Sequence, residues 1–283
     1  MKRAYLLLAI GSLMTLASCK KDFLDMRPQQ SVFTTDVFSS LSTARAAVNG
    51  LYSQMQSYSY YGRDAFVIPE VLSDNATRSI KSGNRYTGMN TMTHAATDAN
   101  VGRMWDQMYR VVINANAVID NEEKLKGIVA PLDLPELTQL IGEAYAVRAL
   151  VYADLAKFYS RPLKFTSDAS HLCVPLVLKQ PTTVSEVTYP ARNTAAEVYA
   201  QIDSDLTKAL ERLPQSGNVI VSGADNAAWF KVRFNRWSTL ALKTRVAVYK
   251  EDWTTAVATA TDVINSGRYT LYPYASMVPD FRT

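Results

Sequence analysis

Apolar residues recur at helical spacing through most of the chain. Between residues 41 and 55 they stand three or four positions apart, which places them on one helical face: Leu41, Ala44, Val48, Leu51 and Met55. Residues 104–119 and 137–158 repeat the pattern. Pro131 and Pro135 stand ahead of the last segment, where a missing N–H is tolerated. The pattern predicts an all-α protein.

Three more helices are predicted in the carboxy-terminal half. Thr194 and Glu197 have the spacing of a capping box, in which the hydroxyl and the carboxylate each accept a hydrogen bond from a backbone N–H at the helix start. Residues 237–250 and 253–265 form two further helical segments, and their short connection requires antiparallel packing. A helical hairpin of about 30 residues has the size of a tetratricopeptide-type repeat. The predicted fold is therefore an all-α, tetratricopeptide-like helical bundle with long irregular loops.

Two long stretches, residues 56–102 and 159–193, are predicted to be irregular loop insertions. The second carries four of the eleven prolines and is expected to cross over the helices, with Leu176 and Val177 as anchors. The first combines several tyrosines with amide, guanidinium and carboxylate groups. Long loops in a compact protein are usually functional or disordered, so the first stretch is where we expect a binding site.

This composition suits a glycan site, because sugars need aromatic rings beside a few placed polar groups. The candidate ligand-binding residues are Tyr86, Arg85, Asn90 and His94, followed by Asp74, Asn75 and Arg78. The alternative is structural: the polar residues would cap helices or satisfy loop backbone, and Tyr58, Tyr60 and Tyr61 would pack against the bundle. Trp105 and Trp253 begin helical stripes and are expected to anchor the core rather than a sugar.

The first 18 residues have the composition of a secretory signal. Lys2 and Arg3 precede an apolar segment, and small residues follow at Ala17 and Ser18. A membrane-spanning helix needs about 20 apolar residues, and this run is shorter. The signal ends at Cys19, and Leu16-Ala17-Ser18-Cys19 resembles a bacterial lipobox. The resemblance implies that Cys19 is lipidated, with residues 19–35 as a tether; acyl chains anchor a protein by burying methylenes, each worth about 0.8 kcal/mol. The remaining residues, 36–283, would form the folded domain.

Composition argues against several other functions. Loss of Lys2 and Arg3 with the signal lowers the formal net charge from +4 to +2, and no stretch has the dense basic patch that nucleic-acid binding requires. Cys173 lies in an apolar run and is expected to be a buried small hydrophobe. No zinc-binding His-Glu-x-x-His, Gly-x-Ser-x-Gly or phosphate-binding loop occurs. The sequence therefore favours a binding protein that is not an enzyme and needs no cofactor or metal.

Six short motifs occur in a fixed order along the chain. The longest covers residues 142–149, Gly-Glu-Ala-Tyr-Ala-Val-Arg-Ala. The others include Asp22-Phe23-Leu24-Asp25, Ala47-Val48-Asn49-Gly50-Leu51-Tyr52, Trp105 with Asn114-Ala115-Asn116, Val198-Tyr199 and Asp252-Trp253. Taken in this order, the motifs resemble the SusD/RagB family of outer-membrane lipoproteins.

The resemblance implies a lipid-anchored protein in the outer membrane, facing the cell exterior. It would bind an oligo- or polysaccharide, with peptide as the ligand of another branch, and would deliver it to a SusC-like, TonB-dependent β-barrel. Family members continue into a long carboxy-terminal region, so the domain at 36–283 is expected to be the amino-terminal portion. Two other functions stay open: a lipid-anchored helical scaffold that binds proteins, and a hydrolase using an acid pair such as Asp74 with Glu70.

Overall fold

The structure, a computed structural model, describes residues 38–221, 224–226, 232–271, 273 and 275. The predicted signal peptide, Cys19 and the tether lie outside the described residues. The helices are α1 Leu41–Met55, α2 Asp64–Leu72, α3 Thr87–Asn90, α4 Ala99–Asp120, α5 Glu122–Lys126, α6 Leu134–Tyr159, α7 Ala195–Arg212, α8 Arg236–Lys250 and α9 Trp253–Asn265. Short 3-10 turns occupy Ile80–Ser82, Pro131–Asp133, Leu163–Phe165 and Val184–Glu186. Among these residues no helix is long and apolar enough to cross a membrane.

The predicted helix starts are confirmed where side-chain caps define them. Ser40 caps α1 by accepting a hydrogen bond from the backbone N–H of Thr43. At α7 the capping box is present: Thr194 accepts from the backbone N–H of Glu197, and the Glu197 carboxylate accepts from the backbone N–H of Thr194. These hydrogen bonds from Thr194 hold the pKa of Glu197 below its usual range.

Helix α6 lies at the centre of the bundle and packs against α1, α4 and α7. From Leu137 to Ala156 nearly every residue is buried, so this helix has no solvent-facing side along most of its length. Gly142 permits the close approach of α7, because a Cβ there would lie 2.9 Å from Arg212 Cβ and 3.3 Å from the carbonyl oxygen of Ala209.

The first buried ion pair of α6 joins it to α7. Arg148 donates Nε and Nη2 to the two carboxylate oxygens of Asp205, at 2.8 and 2.7 Å. Its Nη1 donates to Asn116 of α4 at 2.7 Å. Arg148 and Asp205 are both buried, and such paired geometry offsets the desolvation of both charges. Three helices are thus connected by one guanidinium.

A second buried network centres on Glu143. Its carboxylate accepts hydrogen bonds from Tyr52 in α1 at 2.6 Å and from Arg233 at 2.8 Å, a residue that precedes α8. Gln139 donates to the other oxygen at 2.9 Å. Burial raises the pKa of Glu143, while the charge of Arg233 and these hydrogen bonds oppose the rise. Residues 142–149 thus supply one charged partner to each network, Glu143 here and Arg148 in the other.

Helices α8 and α9 pack against each other as the predicted antiparallel hairpin. The expectation that Trp253 anchors the core is wrong, because its side chain is 62% exposed. It lies on an outer face of α9 with Val257 and Ile264, which are also exposed. Trp105 is half-buried. Its ring centroid lies 4.8 Å from that of Tyr109 and 5.0 Å from that of Tyr159. Trp105 therefore packs against neighbouring rings as an anchor does.

The interpretation of residues 56–102 as an irregular loop needs correction. The stretch contains α2, α3 and the start of α4, with a 3-10 turn at Ile80–Ser82 between them. Helix α2 buries Ala65, Ile68 and Val71, which do stand at helical spacing. Pro69 lies inside this helix, and proline is normally unfavourable in a helix interior. The sequence alone therefore suggested a loop.

Residues 160–194 run over the helices with only two short 3-10 turns. The Tyr152 hydroxyl donates to the Val177 carbonyl at 2.8 Å and accepts from the Val177 N–H at 2.7 Å. Asn116 donates to the same carbonyl at 2.8 Å. Cys173 is buried as predicted, and burial raises the pKa of its thiol.

A short β-hairpin follows α7 and was absent from the sequence-based prediction. Strands β1 (Val219–Val221) and β2 (Ala224–Asn226) pair antiparallel, with Val219 opposite Asn226. Gln139 of α6 accepts a hydrogen bond from the Ile220 N–H at 2.6 Å and donates to its carbonyl at 3.3 Å. The Gln139 side chain thus pairs with the backbone N–H and carbonyl of Ile220, as a neighbouring strand would.

Candidate functional site

The turn between α1 and α2 positions the first part of the candidate site. Its backbone folds tightly, with the Gly62 N–H donating to the Ser57 carbonyl and the Asp64 N–H donating to the Tyr58 carbonyl. A Cβ at Gly62 would lie 2.3 Å from the carbonyl oxygen of Gln56, so only glycine fits there. This turn brings the side chains of Tyr58 and Arg63 to the start of α2.

Two tyrosines of the same turn hold it against α6. The hydroxyls of Tyr60 and Tyr61 donate to Asp154 Oδ2 at 2.7 and 2.5 Å. Lys157 pairs with Asp154 Oδ1 at 3.4 Å. Tyr60 is fully buried, whereas Tyr58 is 74% exposed. The structural alternative is therefore right for Tyr60 and Tyr61, and it is wrong for Tyr58.

Asp64 organises a cluster at the start of α2. Its Oδ1 accepts hydrogen bonds from the Tyr86 hydroxyl at 2.5 Å and from Arg63 Nε at 2.8 Å. The Arg63 guanidinium carbon lies 5.3 Å from the ring centroid of Tyr58 and 5.7 Å from that of Tyr86. We call these three side chains the Tyr58–Arg63–Tyr86 surface. The buried Asp64 carboxylate lies beneath it and fixes two of its three members.

Tyr86 itself has an unusual backbone and a perturbed hydroxyl. Its φ of 54° is in the left-handed region, which non-glycine residues seldom adopt. Burial and the hydrogen bond to Asp64 raise the pKa of Tyr86 to about 12, while the charges of Arg63 and Arg85 oppose the rise. The Tyr86 hydroxyl therefore stays protonated, and remains a donor to Asp64, at neutral pH.

Arg78 and Asn90 close the connection between α2 and α3. Asn90 Oδ1 accepts a hydrogen bond from the Arg78 N–H at 2.8 Å, and Arg78 Nη1 donates to the Gly83 carbonyl. Arg85 follows within the same connection and is exposed. Asn90 thus satisfies loop backbone, while the Arg85 side chain is accessible beside Tyr86.

His94 lies in a different place, at a cavity of about 330 Å³. The cavity is mainly apolar, and its lining includes Ile68 and Leu72 of α2, with Met89, Phe158 and Tyr159. The Tyr159 hydroxyl donates to the Val101 carbonyl at 2.7 Å. The segment that carries His94 packs against α3, because a Cβ on Gly88 would lie 3.2 Å from His94 Cα and the Thr93 N–H donates to the Gly88 carbonyl.

Asp74 and Asn75 follow the end of α2 and are exposed. Asp74 has a φ of 62°. Within the described ranges neither side chain has a hydrogen bond, and no recorded contact joins either of them to Tyr86. The structure therefore places Arg85 beside Tyr86 and Arg78 against Asn90. In the part of the chain that it describes, no hydrogen bond or ring contact joins the side chains of Asp74, Asn75 or His94 to that of Tyr86.

Asp64 was missed as a site residue by sequence reasoning. An aspartate in the first turn of a helix is common, because it interacts favourably with the helix dipole. Its role depends on Tyr86, which is 22 residues away along the chain. The signal present in the sequence was the Arg63-Asp64 pair beside the tyrosines at 58, 60 and 61.

Tyr86→Phe is expected to lower the free energy of unfolding by about 1–3 kcal/mol, because it removes a hydrogen bond to a buried carboxylate. Asp64 Oδ2 is buried without a hydrogen-bond partner in the described chain, so Arg63 alone would compensate Asp64. Urea denaturation measures the change. Tyr58→Phe is the matched control and should shift stability by less than about 0.5 kcal/mol, as exposed substitutions usually do. Equal effects of the two variants would contradict this account of Tyr86.

The fold and site define a class of protein: a helical, tetratricopeptide-like scaffold that carries an exposed aromatic and guanidinium surface on the connection between its first long helices. Residues 22–247 match the SusD-like family, which is described as starch-binding and associating with the outer membrane. The chain belongs to the SusD-like family.

Individual relatives agree with this assignment. The chain is 25% identical over 268 residues to the SusD-like protein P38 of Formosa agariphila, covering 93% of this chain and 46% of the relative. A SusD superfamily crystal structure from Bacteroides thetaiotaomicron matches with a TM-score of 0.70 and 27% identity over 84% of this chain and 49% of the other. A structure described as a putative sugar binding protein, from Bacteroides vulgatus, matches with a TM-score of 0.67 and 26% identity. The match covers 81% of this chain and 46% of the other. The chain thus spans about half the length of the relatives it matches.

Proposed function

We propose that the full-length protein is a cell-surface lipoprotein that binds a glycan and delivers it to a SusC-like, TonB-dependent β-barrel in the outer membrane. The observation that carries the proposal is the family match over residues 22–247. The proposed ligand is an oligo- or polysaccharide, and the protein acts by binding, without catalysis. Peptide is the alternative ligand class.

The Tyr58–Arg63–Tyr86 surface supports a binding role for this part of the chain. Aromatic rings stack on the apolar faces of sugars, and placed polar groups fix the orientation of a ligand. Tyr58 is exposed, and Arg85 is accessible next to Tyr86. Of the residues proposed from sequence, Tyr86 and Arg85 stay the leading candidates, and Arg63 joins them.

The test of the partnership is affinity purification of the full-length, tagged protein from detergent-solubilised outer membranes. Mass spectrometry would identify what stays bound through a salt wash. A β-barrel transporter in stoichiometric amount is the expected result. Recovery of the protein alone would contradict delivery to such a transporter.

Cys19→Ala is expected to abolish membrane anchoring, because the thiol that receives the lipid is lost and a tether alone cannot hold the protein on a bilayer. The measurement is incorporation of labelled palmitate and the partition of the protein into detergent on phase separation. Cys173→Ala is the matched control, because Cys173 is buried in the fold. Palmitate incorporation into the Cys19→Ala variant would contradict the assignment of Cys19.

A second candidate function is a lipid-anchored scaffold that binds another protein and no nutrient. The observation in its favour is the exposed apolar face of α9, with Trp253, Val257 and Ile264. The affinity purification separates the two functions, because a scaffold would retain a soluble partner in place of the barrel.

A further inference from the structure

The Tyr58–Arg63–Tyr86 surface holds a guanidinium in a fixed position at the protein surface. Arg63 lies within 5.7 Å of both ring centroids, and its Nε is bound to the buried carboxylate of Asp64 at 2.8 Å. The Arg63 side chain is 33% exposed, whereas the Asp64 side chain is fully buried. A guanidinium held in this way loses little conformational entropy when it binds a ligand.

The free hydrogen-bonding groups of Arg63 define what this surface can bind. A guanidinium has five N–H donors, and Asp64 uses only the one on Nε. Across the described ranges the two Nη groups of Arg63 have no protein partner. Two adjacent Nη donors in a rigid fork match the oxygens of a carboxylate, a phosphate or a similar anion.

The neighbouring charges favour an anion as well. The exposed Arg85 lies close enough to Tyr86 for its charge to affect the hydroxyl. Between residues 73 and 95 the charged side chains are the basic Arg78, Lys81 and Arg85, against the acidic Asp74. Asp64 compensates Arg63 within the cluster, so Arg85 leaves it with a net positive charge.

We propose that this surface recognises an anionic group on the glycan, either the carboxylate of a uronic acid or a sulfate ester. The inference rests on the proposed glycan binding and adds the charge class of the ligand. The ring of Tyr58 would stack on a sugar face, while the Nη groups of Arg63 and the side chain of Arg85 bind the anion. Asp64 acts as a positioning residue that holds Arg63 and Tyr86.

The experiment measures binding of the full-length protein by isothermal titration calorimetry. Three probes separate the ligand classes: dextran carries neither anion, dextran sulfate carries sulfate, and unsulfated chondroitin carries uronate. We expect at least tenfold tighter binding to one anionic probe than to dextran, and its identity distinguishes sulfate from carboxylate. Arg63→Gln is expected to weaken that binding at least tenfold, and Arg63→Lys to weaken it less, because lysine keeps the charge but lacks the fork.

Two further variants keep the test decisive. Arg85→Gln changes an exposed side chain, so it should fold normally, and it is expected to weaken anionic binding several-fold. Lys124→Gln removes the same charge from an exposed residue of α5, outside the surface, and should change binding by less than twofold. An equal loss of anionic binding in both variants would show that net charge alone causes the effect, and it would overturn the inference.

The results also distinguish this inference from the proposed function. Binding to dextran or a maltooligosaccharide that matches the anionic probes, and that survives Arg63→Gln and Arg85→Gln, would overturn the anionic ligand and leave glycan binding intact. Failure of the unmodified protein to bind any neutral or anionic glycan would instead overturn the proposed function, and this inference with it.

Discussion

Asp205→Ala is expected to lower the free energy of unfolding by about 3–5 kcal/mol, because it leaves a buried guanidinium without its counter-charge. Asp205 has no exposed surface and accepts two hydrogen bonds from Arg148, one from Nε and one from Nη2. It also accepts a hydrogen bond from Gln201 at 2.8 Å. Urea denaturation followed by circular dichroism measures the loss as a shift of the midpoint.

Two further variants test the mechanism of that loss. Replacing both partners, Arg148→Met with Asp205→Leu, should recover most of the stability, because an apolar pair of similar volume needs no desolvation of charge. The matched control is Glu123→Gln. It breaks the ion pair between Glu123 and Lys126, in which the Glu123 side chain is 85% exposed. This control should lower the free energy of unfolding by less than about 1 kcal/mol. A double variant no more stable than Asp205→Ala would show that the loss does not arise from an unpaired charge.

Glu143→Gln is expected to be destabilising by about 3 kcal/mol or more, because it removes the counter-charge of the buried Arg233 while keeping the side-chain volume. The Glu143 carboxylate binds Arg233, Tyr52 and Gln139, and an amide cannot accept at both of its terminal atoms. The loss should appear in the urea midpoint, and the turn that carries Arg233 should become more accessible to protease.

The control for Glu143 is Glu211→Gln in α7. Glu211 has a 63% exposed side chain and lies 3.8 Å from Arg212, so its replacement should change stability by less than about 0.5 kcal/mol. If Glu143→Gln were tolerated as well as Glu211→Gln, the Glu143 network would not contribute to the stability of the bundle.

Helix positions could be predicted well where an apolar stripe and a cap occur together. Helix α1 has the predicted bounds, and α7 begins after the capping box at Thr194. Helix α2 was missed because Pro69 interrupts its pattern. The exposure of Trp253 could not be foreseen either, since periodicity reports which face of a helix is apolar and not what packs against it.

The sequence indicated residues 56–102 as the stretch that carries the candidate site, but not how the side chains of that stretch are arranged. Tyr86 and Arg85 could be proposed because a sugar site needs aromatic rings beside a few placed polar groups, and this stretch contains both. The contact between Tyr86 and Asp64 spans 22 residues and depends on the tight turn at Gly62. Such a contact follows from the path of the backbone, which one sequence does not reveal.

The buried charges of α6 also fix how that helix is set in the bundle. Leucine and valine contacts tolerate a small rotation or slide of a helix, whereas a carboxylate and its partner must remain within hydrogen-bond distance. Glu143 and Asp154 lie about 20° apart around the helix axis and Arg148 lies about 140° from Glu143, and each has partners on other elements. We therefore expect any screw displacement of α6 to break all three at once. Because Asp154 binds Tyr60 and Tyr61, this alignment also sets where the Tyr58–Arg63–Tyr86 surface lies on the protein.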